Sequence, residues 1–149
     1  MINLDGVLTG VTRLGLDTAP IIYFVEAHAQ YDLLITEVFR RIADGNLTGV
    51  TSVVTLTEVL VQPFRQGQER LQNAYYELLI GSANFETLSV NAVIAEHAAR
   101  IRARHNLRTP DALQMATVLN AGCQAFLTND ASLKRVTELR VLILNELAL

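Results

Sequence analysis

The stretch LRTPDALQMATVLNA, residues 107–121, decides how the rest of the chain is read. Its pattern predicts a helix that opens with an acid. Thr109 suits the N-cap and Pro110 the first helical position, where a missing N–H costs nothing. Asp111 then falls in the first turn, where the helix dipole favours a carboxylate. Leu113, Met115, Ala116, Val118 and Leu119 make the helix apolar all round, which predicts burial rather than a surface position. An acid at the mouth of a buried helix is either a cap for the first turn or a metal ligand. Taken alone, the cap is the simpler reading. The ligand reading requires other acids that meet it in space.

The chain surrounding this helix has 149 residues, half of them hydrophobic, which is enough for one domain with a substantial core. Residues 1–149 are therefore read as a single domain, with residues 1–10 as an extension of unassigned role. Cys123 is the only cysteine, so no disulfide within the chain is possible, in keeping with a reducing cytoplasm. No apolar run approaches a membrane span, and the N-terminus lacks the basic region and apolar stretch of a secretory signal. A cytoplasmic protein with no membrane partner is expected.

Apolar or β-branched runs predict strands at residues 11–16, 47–54, 85–90, 124–127 and 139–144. Between them lie helical patterns. Pro20 opens a short helix through Phe24. Residues 31–44 place Leu34, Ile35, Val38, Phe39 and Ile42 on one face. A helix capped by Ser52 or Thr55 carries Glu58 and is expected to stop at Pro63. Residues 66–80 and 91–105 follow as helices, and residues 131–136 form a helical turn. Strands alternating with helices imply an α/β fold with three layers, a central parallel sheet covered by helices on both faces.

In such sheets ligands collect at the carboxyl ends of strands. Asp17 and Asp130 directly follow predicted strands, Asp111 begins a helix, and Glu58 lies near the start of the helix after the second strand. Each has a simpler reading: Asp17 as a turn former in Asp-Thr-Ala-Pro, Glu58 as a solvated side chain, Asp130 as a cap. Their topologically equivalent positions favour a common role. Clustered carboxylates raise one another's pKa or require a cation, and an oxygen-only set suits Mg²⁺ or Mn²⁺.

Four blocks, LDTAPIIYFVE (residues 16–26), SVVTLTEVL (52–60), LRTPDALQMATVLNAGC (107–123) and FLTNDASLKRV (126–136), resemble in order and spacing those of the PIN domain, most closely the VapC-type toxins of bacterial toxin–antitoxin pairs. The resemblance covers nearly the whole chain from about Thr12 onward. It implies a PIN-like α/β/α fold and a Mg²⁺- or Mn²⁺-dependent endoribonuclease that leaves a 5′-phosphate and a 3′-hydroxyl. By position it makes Asp17, Glu58, Asp111 and Asp130 the catalytic and metal-binding acids. Thr18 and Asn129 would orient carboxylates or waters around them. It also implies an RNA substrate, a homodimer and an antitoxin partner. Two departures stand out: the extra N-terminal segment, and Leu133 where many members carry an aromatic.

The formal charge of −3 is no obstacle to RNA. With the four proposed ligands set aside from the 15 acids, the 12 basic residues leave a small positive remainder. Arg100, Arg102, Arg104 and Arg108 lead up to Asp111, and Arg104 and Arg108 are the candidate phosphate contacts; a solvated helix face is the alternative. A receiver-type signalling module also gathers acids at strand ends. It would need an acidic pair near the first strand and a lysine after the last, and Lys134 is the only lysine. A PIN-like module that binds without cleaving is the remaining alternative.

Overall fold

Residues Met1–Leu149 are described by a computed structural model. In chain order the elements are β1 (Ile2–Asn3), α1 (Leu4–Leu8), β2 (Arg13–Leu16), α2 (Thr18–Val25), α3 (Asp32–Ala43), β3 (Thr48–Ser52), α4 (Val53–Arg65), α5 (Glu69–Gly81), β4 (Phe85–Leu88), α6 (Ala92–His105), α7 (Thr109–Asn120), β5 (Ala125–Thr128), β6 (Arg140–Ile143) and β7 (Leu147–Ala148). Two 3₁₀ segments, Ala131–Arg135 and Leu144–Glu146, flank β6.

Five strands form one parallel sheet in the order β4-β3-β2-β5-β6. Successive strand side chains point to opposite faces, and that period of two sorts the core into two layers. Leu14, Leu16, Ala125 and Leu127 join a cluster with Ile21 of α2, Ile35, Val38 and Phe39 of α3, Val59 of α4, and Tyr75 and Leu79 of α5. Val50 and Phe126 join the opposite cluster with Ile94, Ala98 and Ile101 of α6 and Ala112, Met115, Ala116 and Val118 of α7. The expected three-layer α/β/α architecture is present.

The chain lays down β2, β3 and β4 outward, then returns to add β5 and β6 beyond β2. Strand order therefore reverses between β2 and β5, which opens a crevice at their carboxyl ends. α7 reaches that crevice by packing close to the sheet. A Cβ on Gly15 of β2 would lie 2.7 Å from Val118 Cγ1, so only glycine admits the helix at this distance.

Several boundaries differ from the sequence expectation. Val53 and Val54 are helical despite their β-branching, because the Ser52 hydroxyl accepts the Val54 N–H at 3.1 Å and starts α4 there. Pro63 does not stop α4, which continues to Arg65. Its own carbonyl accepts from the Gln68 N–H at 2.9 Å and Gln72 Nε2 at 3.0 Å, so only one helical hydrogen bond is forfeited, near the helix end. α7 starts one residue early: Arg108, not Thr109, is the N-cap, and its carbonyl accepts the Ala112 N–H at 3.0 Å. Residues 1–10, read from the sequence as an extension, are built into the fold. They form β1 and α1, with Leu4 and Leu8 in the core and β1 paired in parallel with β7, a strand after the expected final one.

Candidate active site

Asp17 sits where β2 hands over to α2. Its N–H donates to the Leu127 carbonyl of β5 at 2.9 Å, which fixes the residue at the crevice. Its carboxylate caps α2: Oδ1 accepts the Thr18 N–H at 2.9 Å, and Oδ2 accepts the Thr128 hydroxyl at 2.8 Å. Asp130 follows β5 on the other side of the crevice. Its N–H donates to Thr128 Oγ1 at 3.1 Å, so one buried threonine touches both acidic residues. Asp130 Oδ1 accepts from Ser132 N–H at 3.0 Å and Ser132 Oγ at 2.7 Å, so Asp130 caps the 3₁₀ turn as its simpler reading required. Asp17 and Asp130 are thus caps as well as candidate ligands.

Glu58 lies in the second turn of α4 and is exposed, with Oε1 accepting the Thr18 hydroxyl at 2.7 Å. Asp111, in the first turn of α7, is largely buried at 13 % side-chain exposure and accepts from Arg108 Nε at 3.2 Å. Burial is the main cause that lifts the Asp17 pKa above its ordinary value. The hydrogen bonds from Thr128 and Thr18 oppose the shift, and the charges of Asp111 and Glu58 add to it. On Arg108 the neighbouring Asp111 acts most, followed by Glu58 and Asp130, and all three stabilise its cation. All four acids therefore act on one small region.

Thr18 stands where the sequence placed it, bonded to both Asp17 and Glu58. Asn129 is turned elsewhere: its Oδ1 accepts the Asn145 N–H at 3.0 Å, and its Nδ2 reaches Tyr23 Oη at 3.5 Å. The row of arginines divides. Arg108 pairs with Asp111 at the crevice, whereas Arg104 donates to Glu138 at 2.9 Å and Arg100 to Glu96 at 2.8 Å.

Beneath the acids lies a polar group that sequence reasoning missed. Thr51, Ser52, Thr55 and Gln114 are all buried, at no more than 1 % exposure, and all are hydrogen-bonded to one another or to the backbone. The signal was a glutamine one turn after Asp111 in an otherwise apolar helix.

As the side chains stand, no three His, Cys, Asp or Glu residues converge tightly enough to cage an ion. The donors nonetheless suit a hard cation. They are all carboxylate oxygens, and Mg²⁺ commonly binds through one or two carboxylates while keeping several waters. A partly buried Asp17 held against two like charges is the electrostatic setting that a divalent ion relieves.

Among solved structures, the chain resembles VapBC2 from Rickettsia felis bound to a DNA fragment from their promoter, with a TM-score of 0.72 and 17% identity over 89% of this chain and 98% of that one. It also resembles a toxin–antitoxin complex from Klebsiella pneumoniae, with a TM-score of 0.64 and 18% identity over 88% and 97% of the two chains. A third likeness is to DNA-bound VapBC from Salmonella typhimurium, with a TM-score of 0.69 and 18% identity over 89% and 98%. At these identities the likeness establishes a shared fold. No curated protein matches the sequence. The family model of the PIN domain matches residues 15–139, a span that runs from within β2 to the residue before β6 and includes all four acids, and the chain belongs to the PIN domain family.

Proposed function

We propose that the protein is a divalent-metal-dependent endoribonuclease and the toxin of a toxin–antitoxin pair. PIN domains are nucleases that generally use divalent ions, so membership supports hydrolase chemistry. The observation that carries the reading is that Asp17, Glu58, Asp111 and Asp130 lie near enough to act by charge on Asp17 or on Arg108, at the strand-order reversal of a PIN chain.

Asp17, Asp111 and Asp130 would hold Mg²⁺ or Mn²⁺, with Glu58 completing the set. When bound, such an ion supplies an acidified water and charge stabilisation at the phosphodiester oxygens. The chain's own residues do the rest. Thr18 N–H and Thr128 Oγ1 lock the Asp17 carboxylate in one orientation. Glu58 Oε1 is held by Thr18, which leaves Oε2 to take a proton from the attacking water. Arg108, exposed beside Asp111, meets a substrate phosphate. The decisive measurement is cleavage of single-stranded RNA. Cleavage with Mg²⁺ or Mn²⁺, loss in EDTA and recovery with excess metal are expected; cleavage that persists in EDTA, or none with either metal, overturns the reading.

The likeness to the Klebsiella pneumoniae complex supports an antitoxin partner. A homodimer belongs to the same proposal, with α3 and α5 as contacts: Leu33 on α3 and Tyr76 and Ile80 on α5 are exposed. A monomer in sedimentation at micromolar concentration would remove the dimer.

The arginines are tested by salt. Arg108→Ala, in an inactive Asp17→Asn background, should weaken RNA binding about equally for all sequences. The log–log salt slope should become shallower by about 0.7 per lost single-strand phosphate contact. Arg104→Ala, whose guanidinium is engaged by Glu138, should change the slope less. Unchanged affinity and parallel slopes for Arg108→Ala would return it to a solvated helix end.

A further inference from the structure

We infer that Gln114 is a positioning residue: its buried amide sets the direction of the hydroxyl protons beneath the acids, so that the Thr18 proton is delivered to Glu58. The consequence for metal binding rests on the site reading above, whereas the proton order rests on hydrogen-bond geometry alone.

Gln114 lies one turn along α7 from Asp111 and is 1 % exposed. Proton bookkeeping starts from a group that can only accept. The Leu16 carbonyl takes a bond from Thr51 Oγ1 at 2.9 Å, so the Thr51 proton is spent there. Thr51 and Thr55 hydroxyls are 2.8 Å apart, so Thr55 must be the donor. With its proton committed, Thr55 Oγ1 can only accept from Gln114 Nε2, 2.5 Å away. The second Nε2 proton faces Thr18 Oγ1 at 3.3 Å. Thr18 then faces two acceptors, the second lone pair of Thr55 Oγ1 at 3.2 Å and the Glu58 carboxylate at 2.7 Å, and the closer, charged one takes its proton.

The other end of the amide fixes its orientation. Gln114 Oε1 lies 2.5 Å from Ser52 Oγ, which already accepts the Val54 N–H and so has a proton to donate. A flipped amide would strand the Ser52 proton. It would also place Oε1 in competition with Glu58 for the Thr18 proton. The observed orientation leaves no buried side-chain polar atom unpaired. One glutamine thereby ties α7, which carries Asp111, to the starts of α2 and α4, which carry Thr18 and Glu58. The Thr18 hydroxyl reaches Glu58, while the backbone N–H of the same residue holds Asp17, so Thr18 stands between two of the four acids.

The test uses Gln114→Met, an apolar replacement of similar volume, with Thr18→Val and Thr18→Ser. Mn²⁺ affinity is read by electron paramagnetic resonance, alongside kcat and KM for RNA. Gln114→Met and Thr18→Val should each weaken Mn²⁺ binding roughly 10- to 100-fold, as loss of an outer partner does. Each should lower kcat with KM unchanged, their combination should lose little more than either alone, and Thr18→Ser should behave as wild type. Unchanged Mn²⁺ affinity in folded Gln114→Met, or losses that add in the double variant, would overturn the inference. Should Gln114→Met not fold, hydroxyl-proton NMR of the wild type decides: a slowly exchanging Thr18 proton with a cross-peak to the Gln114 amide is expected, and a solvent-exchanging one is fatal. Wild type that binds no Mn²⁺ would sink the metal-site reading instead, leaving the proton order to the NMR result.

Discussion

Asp17→Asn and Asp111→Asn each remove metal-dependent cleavage, by more than about 100-fold, in proteins that stay folded. The expected loss exceeds the roughly 10- to 100-fold that an outer partner costs, because each acid is proposed to touch the ion itself. The fold survives because neither carboxylate is needed to complete the core. An Asn at 17 keeps an oxygen for the Thr18 N–H and can donate to Thr128 Oγ1. Stability should even favour Asp17→Asn when metal is absent, and the sign follows from the pKa. Burial, then the charges of Asp111 and Glu58, hold the Asp17 pKa above its ordinary 3.8. The folded state therefore binds this proton more tightly than the unfolded chain does. Below pH 3.8 both states are protonated and there is no penalty; as pH rises through the raised folded value the penalty becomes complete. The thermal midpoint of Asp17→Asn should exceed that of metal-free wild type most at neutral pH, and the gap should shrink on acidification. Added Mg²⁺ should raise the wild-type midpoint and leave the variant's nearly unmoved. Mg²⁺-dependent turnover at the wild-type rate in either variant would remove that acid from the mechanism.

The four candidate acids could be placed at one edge of the sheet without coordinates because topology does the work of distance. An acid just past a strand, in a chain whose strands alternate with helices, must lie at one edge of the sheet. That reasoning carried Asp17, Asp111, Asp130 and Glu58 to the same crevice. It could not reach the residues beneath them. Gln114 meets Ser52 across 62 positions of sequence, and nothing local marks that pairing. Arg104 has a partner that local sequence does not announce. It aligns with Arg100 on α6, and Glu138, 34 positions later, engages it. The strand expected over residues 47–54 overran because two valines outweighed a serine cap. Residues 1–10 had no visible period because α1 shows only Leu4 and Leu8 to the core, a single turn of pattern.

Gly15→Ala is expected to destabilise the protein by about 1–3 kcal/mol, the usual cost of forcing atoms into a packed interior. A new Cβ would stand 2.7 Å from Val118 Cγ1, 2.9 Å from Val118 Cβ and 3.0 Å from Phe126 Cδ1. A rotamer change can move Cγ1, but Cβ is fixed to the backbone of α7, so the helix itself must retreat. Relief of glycine's backbone entropy opposes this by only roughly 0.5–1 kcal/mol, so the clash prevails. The site should suffer too. Asp111 and Val118 are seven residues apart, two turns along one face of α7. Gly15 stands two residues before Asp17 in β2. A retreat of α7 at Val118 therefore separates Asp111 from Asp17, the pair on which the proposed chemistry depends. The thermal midpoint should fall by about 2–12 °C, at roughly 2–4 °C per kcal/mol for a chain of this size. Cleavage should fall at temperatures where the variant is still fully folded. Val118→Ala removes the nearest methyl but leaves Cβ at 2.9 Å, so it should rescue part of the loss. The two substitutions should be non-additive by more than about 0.5 kcal/mol in a double-mutant cycle. Strictly additive effects, or a Gly15→Ala protein as stable and active as wild type, would show that this contact does not set the distance between α7 and the sheet.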